Sequence, residues 1–195
     1  MSSDHDVQLA PPGAGLPKVQ GFLLRYLVFP TFCRLTSWEK AGSLFQDEGQ
    51  KLGALARKLS PEKLQQRVLI QPLWGIEDSS RNWSAEMVLE HLIEVGSRIA
   101  IGVVELSHGQ EASVEADIVA VKPKGHGERD VLEEYMAFLD QYRRTLAEDV
   151  DDRRSTKTLV HPWFGDLTPH HWVCLGAVHQ QIHRRQMERI VAGLE

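Results

Sequence analysis

Residues 168–194 read TPHHWVCLGAVHQQIHRRQMERIVAGL, and this stretch decides the fold. The Thr168 hydroxyl suits a helix N-cap, and Pro169 suits the first helical position, where no N–H is needed. No proline follows, and only Gly176 and Gly193 interrupt. At about 100° per residue, Leu175, Gly176, His179, His183, Gln186, Met187, Ile190 and Leu194 fall within about 60° of Trp172. Gln181, Arg184, Arg185 and Glu188 fall on the other side. The apolar face of one long helix therefore carries two histidines a turn apart. A buried neutral imidazole needs partners for both ring nitrogens. A metal ion satisfies one nitrogen of each, and i,i+4 spacing lets two imidazoles converge on it. Two core histidines satisfied by carboxylates or water are the equal alternative, because an HxxxH pair alone is a weak signal.

Working outward, three more helices carry an apolar face. Ser37 caps a helix on which Trp38, Ala41, Phe45, Leu52, Leu55 and Leu59 recur, with Lys40 where a capping-box Glu would stand. Ser60-Pro61-Glu62 opens a short helical segment. Asn82 or Ser84 opens a helix running to about Ser107, with Val88, Leu92, Val95, Ile99, Val103 and Leu106 as its stripe. Glu128 to Val150 makes another, with Leu132, Tyr135, Met136, Leu139, Tyr142 and Leu146 inward. Residues 68–81 hold Pro72, Gly75 and a polar cluster and read as a loop. Residues 108–127 form a connection whose run 117–121 (DIVAV) is the one β-prone segment. The sequence 161–165 (HPWFG) turns into the last helix. Four helices with one apolar face each are buried most simply as an all-α four-helix bundle with at most one short strand segment.

The N-terminal part differs. Residues 1–20 are expected to form a disordered or extended tail, ahead of a single domain over 21–195. The apolar run 21–35, interrupted by Arg25 and Pro30, reads as an arm packed over the core. It is too short to span a bilayer, and the N-terminus lacks a signal-peptide pattern. The chain has 195 residues, 42% hydrophobic and 25% charged, with net charge −5. Nothing in that balance points to a nucleic-acid or membrane partner. The two cysteines, Cys33 and Cys174, make no framework, and a cytoplasmic location is expected.

A third histidine joins the pair. His91 lies on the edge of the stripe of the helix that follows Ser84. Facing helices of a bundle meet in the core, where such proteins build metal sites. Three histidines with an open position are the ligand set of a catalytic zinc or nickel centre. His5, His108, His126, His161, His170 and His171 fall in tails, loops or helix starts and read as surface residues, His161 as a turn residue. Glu94 and Arg98, one and two turns beyond His91, also read as surface residues able to line the same pocket. HQQIH at 179–183 lacks the Glu of a zincin HExxH, because Gln180 stands there; this excludes a metalloprotease. No GxSxG, P-loop or Rossmann glycine pattern is present, and Cys174 lies about 200° from Trp172 on the wheel.

The stretch 83–92 (WSAEMVLEHL) resembles the WS..E.L.HL motif that opens the second helix of the DinB/YfiT-like superfamily. Residues 161–168 (HPWFGDLT), with Trp172, His179 and His183, resemble the HP..G.LT…W…H…H segment of one of its branches. The resemblance runs in element order over about residues 38–193. It implies that His91, His179 and His183 bind a divalent metal inside the bundle. It also implies a metal-dependent thiol S-transferase or isomerase acting on a small electrophile. The thiol would be glutathione, mycothiol or bacillithiol, and a homodimer is common in the family. A metal-dependent hydrolase and a non-catalytic metal-binding stress or interaction protein are the alternatives. A pocket with polar lining beside the ion would favour an enzyme; a site sealed by side chains would favour the last.

Overall fold

The computed structural model describes residues 8–125 and 129–195. Four long helices make the bundle: α3 (Trp38–Ala56), α5 (Ala85–Ser107), α6 (Val131–Glu148) and α7 (Pro169–Gly193). Helix α3 packs against α6 and α7, and α5 packs against α6 and α7, so the four close into a ring. Three shorter α-helices, α1 (Lys18–Leu23), α2 (Phe29–Leu35) and α4 (Pro61–Gln65), a π turn over Leu24–Val28 and a 3-10 turn over Asp78–Ser80 complete the helical inventory of the described residues.

The helix starts follow local chemistry. Ser37 accepts from the Lys40 N–H, Ser60 from Lys63, Ser84 from Met87 and Asp130 from Glu133. Each hydroxyl or carboxylate thus satisfies an N–H that the first helical turn leaves without a partner. The expected start of α6 at Glu128 lies outside the described residues, and the Asp130 cap sets the observed one. Its last helical residue is Glu148 rather than Val150.

In the core, Phe45 and Tyr142 stack with ring centroids 3.9 Å apart, and Gly176 of α7 closes over them. Helices α5 and α6 approach closely where Gly96 meets Phe138. A Cβ on Gly96 would stand 2.3 Å from the Phe138 ring, whereas one on Gly42 of α3 would meet nothing within 4 Å. Gly96→Ala should therefore cost about 1–3 kcal/mol by overpacking. Gly42→Ala should add roughly 0.4–1 kcal/mol by restricting the unfolded chain. Thermal melts of the two variants should move in opposite directions, and a shared direction would contradict this packing.

Strands depart from expectation. The run 117–121 is a turn, because the Asp117 carboxylate accepts from the N–H groups of Val119 (2.8 Å) and Ala120 (3.1 Å). That local bonding outcompetes the extended backbone its β-branched residues favour. Strand pairing occurs elsewhere, in two short antiparallel pairs. Strand β1 (Val68–Leu69), at the start of the expected loop 68–81, pairs with β2 (Asn82–Trp83), just before the Ser84 helix cap, with Val68 opposite Trp83. Strand β3 (Leu159–His161) pairs with β4 (Gly165–Leu167) and makes the expected turn a hairpin, with Gly165 at φ +78°.

The arm is helical on both sides of Pro30. A π turn over Leu24–Val28 joins α1 to α2, with the Phe29 N–H bonded to the Leu24 carbonyl. The wider turn just before Pro30 accommodates a residue that has no N–H and a bulky ring. Residues 1–7 of the expected tail lie outside the described residues. From Ala10 onward the chain is tied down: the Ala10 N–H donates to Asp78 (2.7 Å) and the Gly15 N–H to Glu77 (2.8 Å). Among the described residues no helix is long and apolar enough to cross a membrane.

Candidate metal centre

Helix α5 supplies His91 and helix α7 supplies His179 and His183, and their ligand atoms gather at one point. The Nε2 of His179 stands 3.1 Å from the Nε2 of His91 and 3.1 Å from that of His183. The three rings pack edge to face or tilted, with centroids 4.4–5.0 Å apart. His91 and His183 are buried, and His179 keeps a slightly exposed edge.

The hydrogen bonds behind the rings decide the tautomers. His91 Nδ1 donates to the Val121 carbonyl at 2.8 Å. His183 Nδ1 donates to Gln186 Oε1 at 2.7 Å, and Gln186 Nε2 donates to the Ser80 carbonyl at 2.7 Å, which fixes the amide orientation. Both rings therefore carry their proton on Nδ1 and aim a bare Nε2 lone pair inward. His179 has one Nε2 proton to offer and two such lone pairs to face. At least one buried acceptor is thus left without a donor, an arrangement that costs free energy unless a cation fills the gap. The atoms fit one: a tetrahedral ion with bonds of about 2.0–2.1 Å separates its ligand atoms by roughly 3.3 Å. The three residues together could hold a metal ion.

Burial keeps all three rings neutral, the form that ligates. It depresses His91 to about 4, against the opposing pull of its bond to Val121. Burial, and then the neighbouring histidines, hold His179 well below the usual range. The same two influences hold His183 there, with His91 the neighbour concerned. Trp83 walls the site, its ring parallel to His183 (4°) and edge-on to His91.

A cavity of about 320 Å³ opens over the triad. Its lining is mostly apolar, including Val95, Ile99, Trp163, Trp172, Val178 and Ile182; Leu16 joins from the segment before α1, here counted with the arm, and Leu24 and Phe29 from the arm itself. The site is thus open rather than sealed by side chains, and its mostly apolar wall is broken by polar side chains that include His161, Lys122 and Gln181. Arg98 borders the cavity but pairs with Glu94 at 2.7 Å.

His161 is not a surface turn residue. It lines the cavity in contact with Phe164 and Trp172, with centroids 5.0 and 5.6 Å away, and burial pushes its pKa down to about 4. The Trp163 N–H donates to its Nδ1 at 3.0 Å, so its own proton sits on Nε2. The turn signals around this histidine say nothing of how the hairpin folds back over α7. His170 and His171 stay at the helix start, His170 against the Cys33 carbonyl (3.1 Å) and His171 against Thr168. His108 is exposed beside the Asp149 carbonyl, and His5 and His126 lie outside the described residues. Gln180, where a zincin has its Glu, points away from the centre and accepts from Tyr135 at 2.7 Å.

The outer partners of the imidazoles are hard to see in the sequence. Gln186 had a visible signal, a polar residue one turn past His183 on the same apolar face. The Val121 and Ser80 carbonyls had none, because any residue type supplies a carbonyl.

Comparison with known proteins agrees with the frame. A family model, the DinB superfamily, matches residues 44–187. A solved structure, TT2238, described as a four-helix bundle protein, is 26% identical with a TM-score of 0.52, covering 78% of this chain and 98% of that one. No curated protein matches the chain.

Proposed function

The chain belongs to the DinB superfamily, and we propose that it binds one divalent metal ion, zinc or nickel, through the Nε2 atoms of His91, His179 and His183. We infer that it uses this centre for thiol S-transfer to a small, largely apolar electrophile. The observation that carries the reading is the meeting of two bare, buried Nε2 lone pairs on a third imidazole beneath an open cavity. When bound, the ion supplies an uncompensated positive charge that lowers the pKa of a thiol or water beside it.

The chain's own residues do the rest. Val121 and Gln186 hold two imidazoles in the ligating tautomer. The apolar walls exclude water and select an uncharged acceptor. His161, with its proton on Nε2, is the one imidazole of the cavity wall outside the triad among the described residues and offers a donor to a leaving group. Of the carboxylates that border the cavity, Glu77, Glu115 and Asp117, Glu77 is engaged by Lys122 and Asp117 by its own backbone, which supports attack by a thiolate over hydrolysis, since water would need a proton acceptor.

The test has two parts. Purified protein is assayed for metal content. The metal-loaded form is then mixed with glutathione, mycothiol or bacillithiol and a halogenated nitrobenzene, beside a His183→Ala control. A rate above the control with at least one thiol is expected. Bound metal with control rates for all three thiols would sink the transferase reading and leave the metal-binding one.

A further inference from the structure

Glu77 lies far from the three imidazoles in sequence and touches none of them, yet two of them depend on what it holds. It sits in the loop between β1 and β2, and its side chain is 2% exposed. Its Oε2 accepts from Lys122 Nζ (2.6 Å) and Ser79 Oγ (2.9 Å), and its Oε1 accepts from the Gly15 N–H (2.8 Å). Burial alone would raise its carboxyl, but Lys122, Gly15 and Ser79 together keep it below the usual carboxylate range.

From this carboxylate two paths run to the centre. Lys122 follows Val121, whose carbonyl receives the His91 Nδ1 proton. Lys122 Nζ also donates to Ser80 Oγ at 2.8 Å, and the Ser80 carbonyl receives Gln186, which in turn receives the His183 Nδ1 proton. The same ammonium lies 5.5 Å from the centroid of the Trp83 ring, which packs on both imidazoles. A third path leads to the cavity wall: Gly15 precedes Leu16, the first arm residue to line it. Three segments of the chain, at 15, 77–80 and 121–122, are thereby pinned at one buried charge.

We propose that Glu77 is the positioning residue of the metal centre: through Lys122 it fixes the two carbonyls that orient His91 and His183, and through Gly15 it locks the arm over the same cavity. The inference rests on the metal-binding reading. Removing one carboxylate therefore loosens ligand orientation and arm closure together. Asp78, one residue along, also ties the arm through Ala10, but it pairs with Arg81 and not with Lys122.

The experiment compares Glu77→Gln, Lys122→Met and Asp78→Asn with the wild-type chain. Zinc affinity is measured by competition with a chromophoric chelator, and arm closure by limited proteolysis. In metal-free protein, NMR follows exchange of the imidazole Nδ1 protons. Outer partners of metal ligands are typically worth about 10–100-fold in affinity. Glu77→Gln and Lys122→Met should each weaken zinc binding by about that factor and speed exchange of the His91 and His183 Nδ1 protons. Arm cleavage should rise in Glu77→Gln and in Asp78→Asn. Asp78→Asn should leave zinc affinity within about twofold of wild type. Zinc affinity unchanged in Glu77→Gln, or weakened equally in Asp78→Asn, would overturn the proposal. If Glu77→Gln does not fold, Lys122→Met decides by the same readings. A wild-type chain that binds no zinc would remove the metal-binding reading, while the Nδ1 exchange rates would still decide whether Glu77 orients the rings.

Discussion

His179→Ala will abolish stoichiometric divalent metal. His179 Nε2 is the atom that both other ring nitrogens approach at 3.1 Å, so its loss leaves two imidazoles on different helices with no shared focus. The drop in affinity should exceed the roughly 10–100-fold that follows loss of an outer partner. The metal-free variant should melt close to the metal-free parent, because truncation also relieves the unmatched acceptor and leaves His91 and His183 open to water from the cavity. What disappears is the rise in melting temperature that added metal gives the parent by binding only the folded state. His161→Ala serves as the counterpart, since His161 lines the cavity but is not among the three gathered nitrogens. It should keep its metal. Full occupancy in His179→Ala, measured by elemental analysis after dialysis, would refute the ligand assignment.

The second large effect is on stability against pH in the metal-free protein. Burial holds His91 and His161 each at about 4, below the ordinary value of 6.5. His179 and His183 are held well below the ordinary value in the same direction, chiefly by burial. Between these limits the unfolded chain binds more protons than the folded one, so stability falls as pH falls. The contribution is fully present above about 6.5 and is lost as pH drops through about 4. At about 1.4 kcal/mol per pH unit, His91 alone withdraws about 3 kcal/mol over that window. Melting temperatures recorded in chelator should decline steadily from pH 6.5 to 4.5, while metal-loaded protein should resist the decline until protons displace the ion. A flat profile in chelator would mean that the rings are not held neutral.

Side chains on helix faces were legible in the sequence, and backbone was not. The angular position of His179 and His183 follows from regular helix geometry, and the capping residues Ser37, Ser60 and Ser84 act as read. The bundle is therefore recoverable from periodicity, and with it the meeting of α5 and α7. The features that failed depend on where loops return. Asp117 turned a β-prone run into a tight turn by bonding its own backbone. Residues 68–69 and 82–83 are too short to show alternation and pair only because the intervening loop brings them together. Glu77 and Lys122 stand 45 residues apart, and nothing local to either names its partner. The π turn before Pro30 likewise hides in an apolar run that reads as arm.

The spacing of the three histidines along the chain also sets an order of assembly. His179 and His183 are one turn apart, but His91 lies 88 residues from His179. An unfolded chain can offer an ion the local pair alone, because bringing in the third ring means closing a loop of that length against its entropy. Packing of α5 on α7 closes that loop through apolar contacts that need no ion. The bundle therefore forms first and the ion arrives second, the reverse of small zinc modules that are unfolded until charged. Scarcity of metal would leave a folded, empty frame rather than a lost chain, ready to be filled when supply returns.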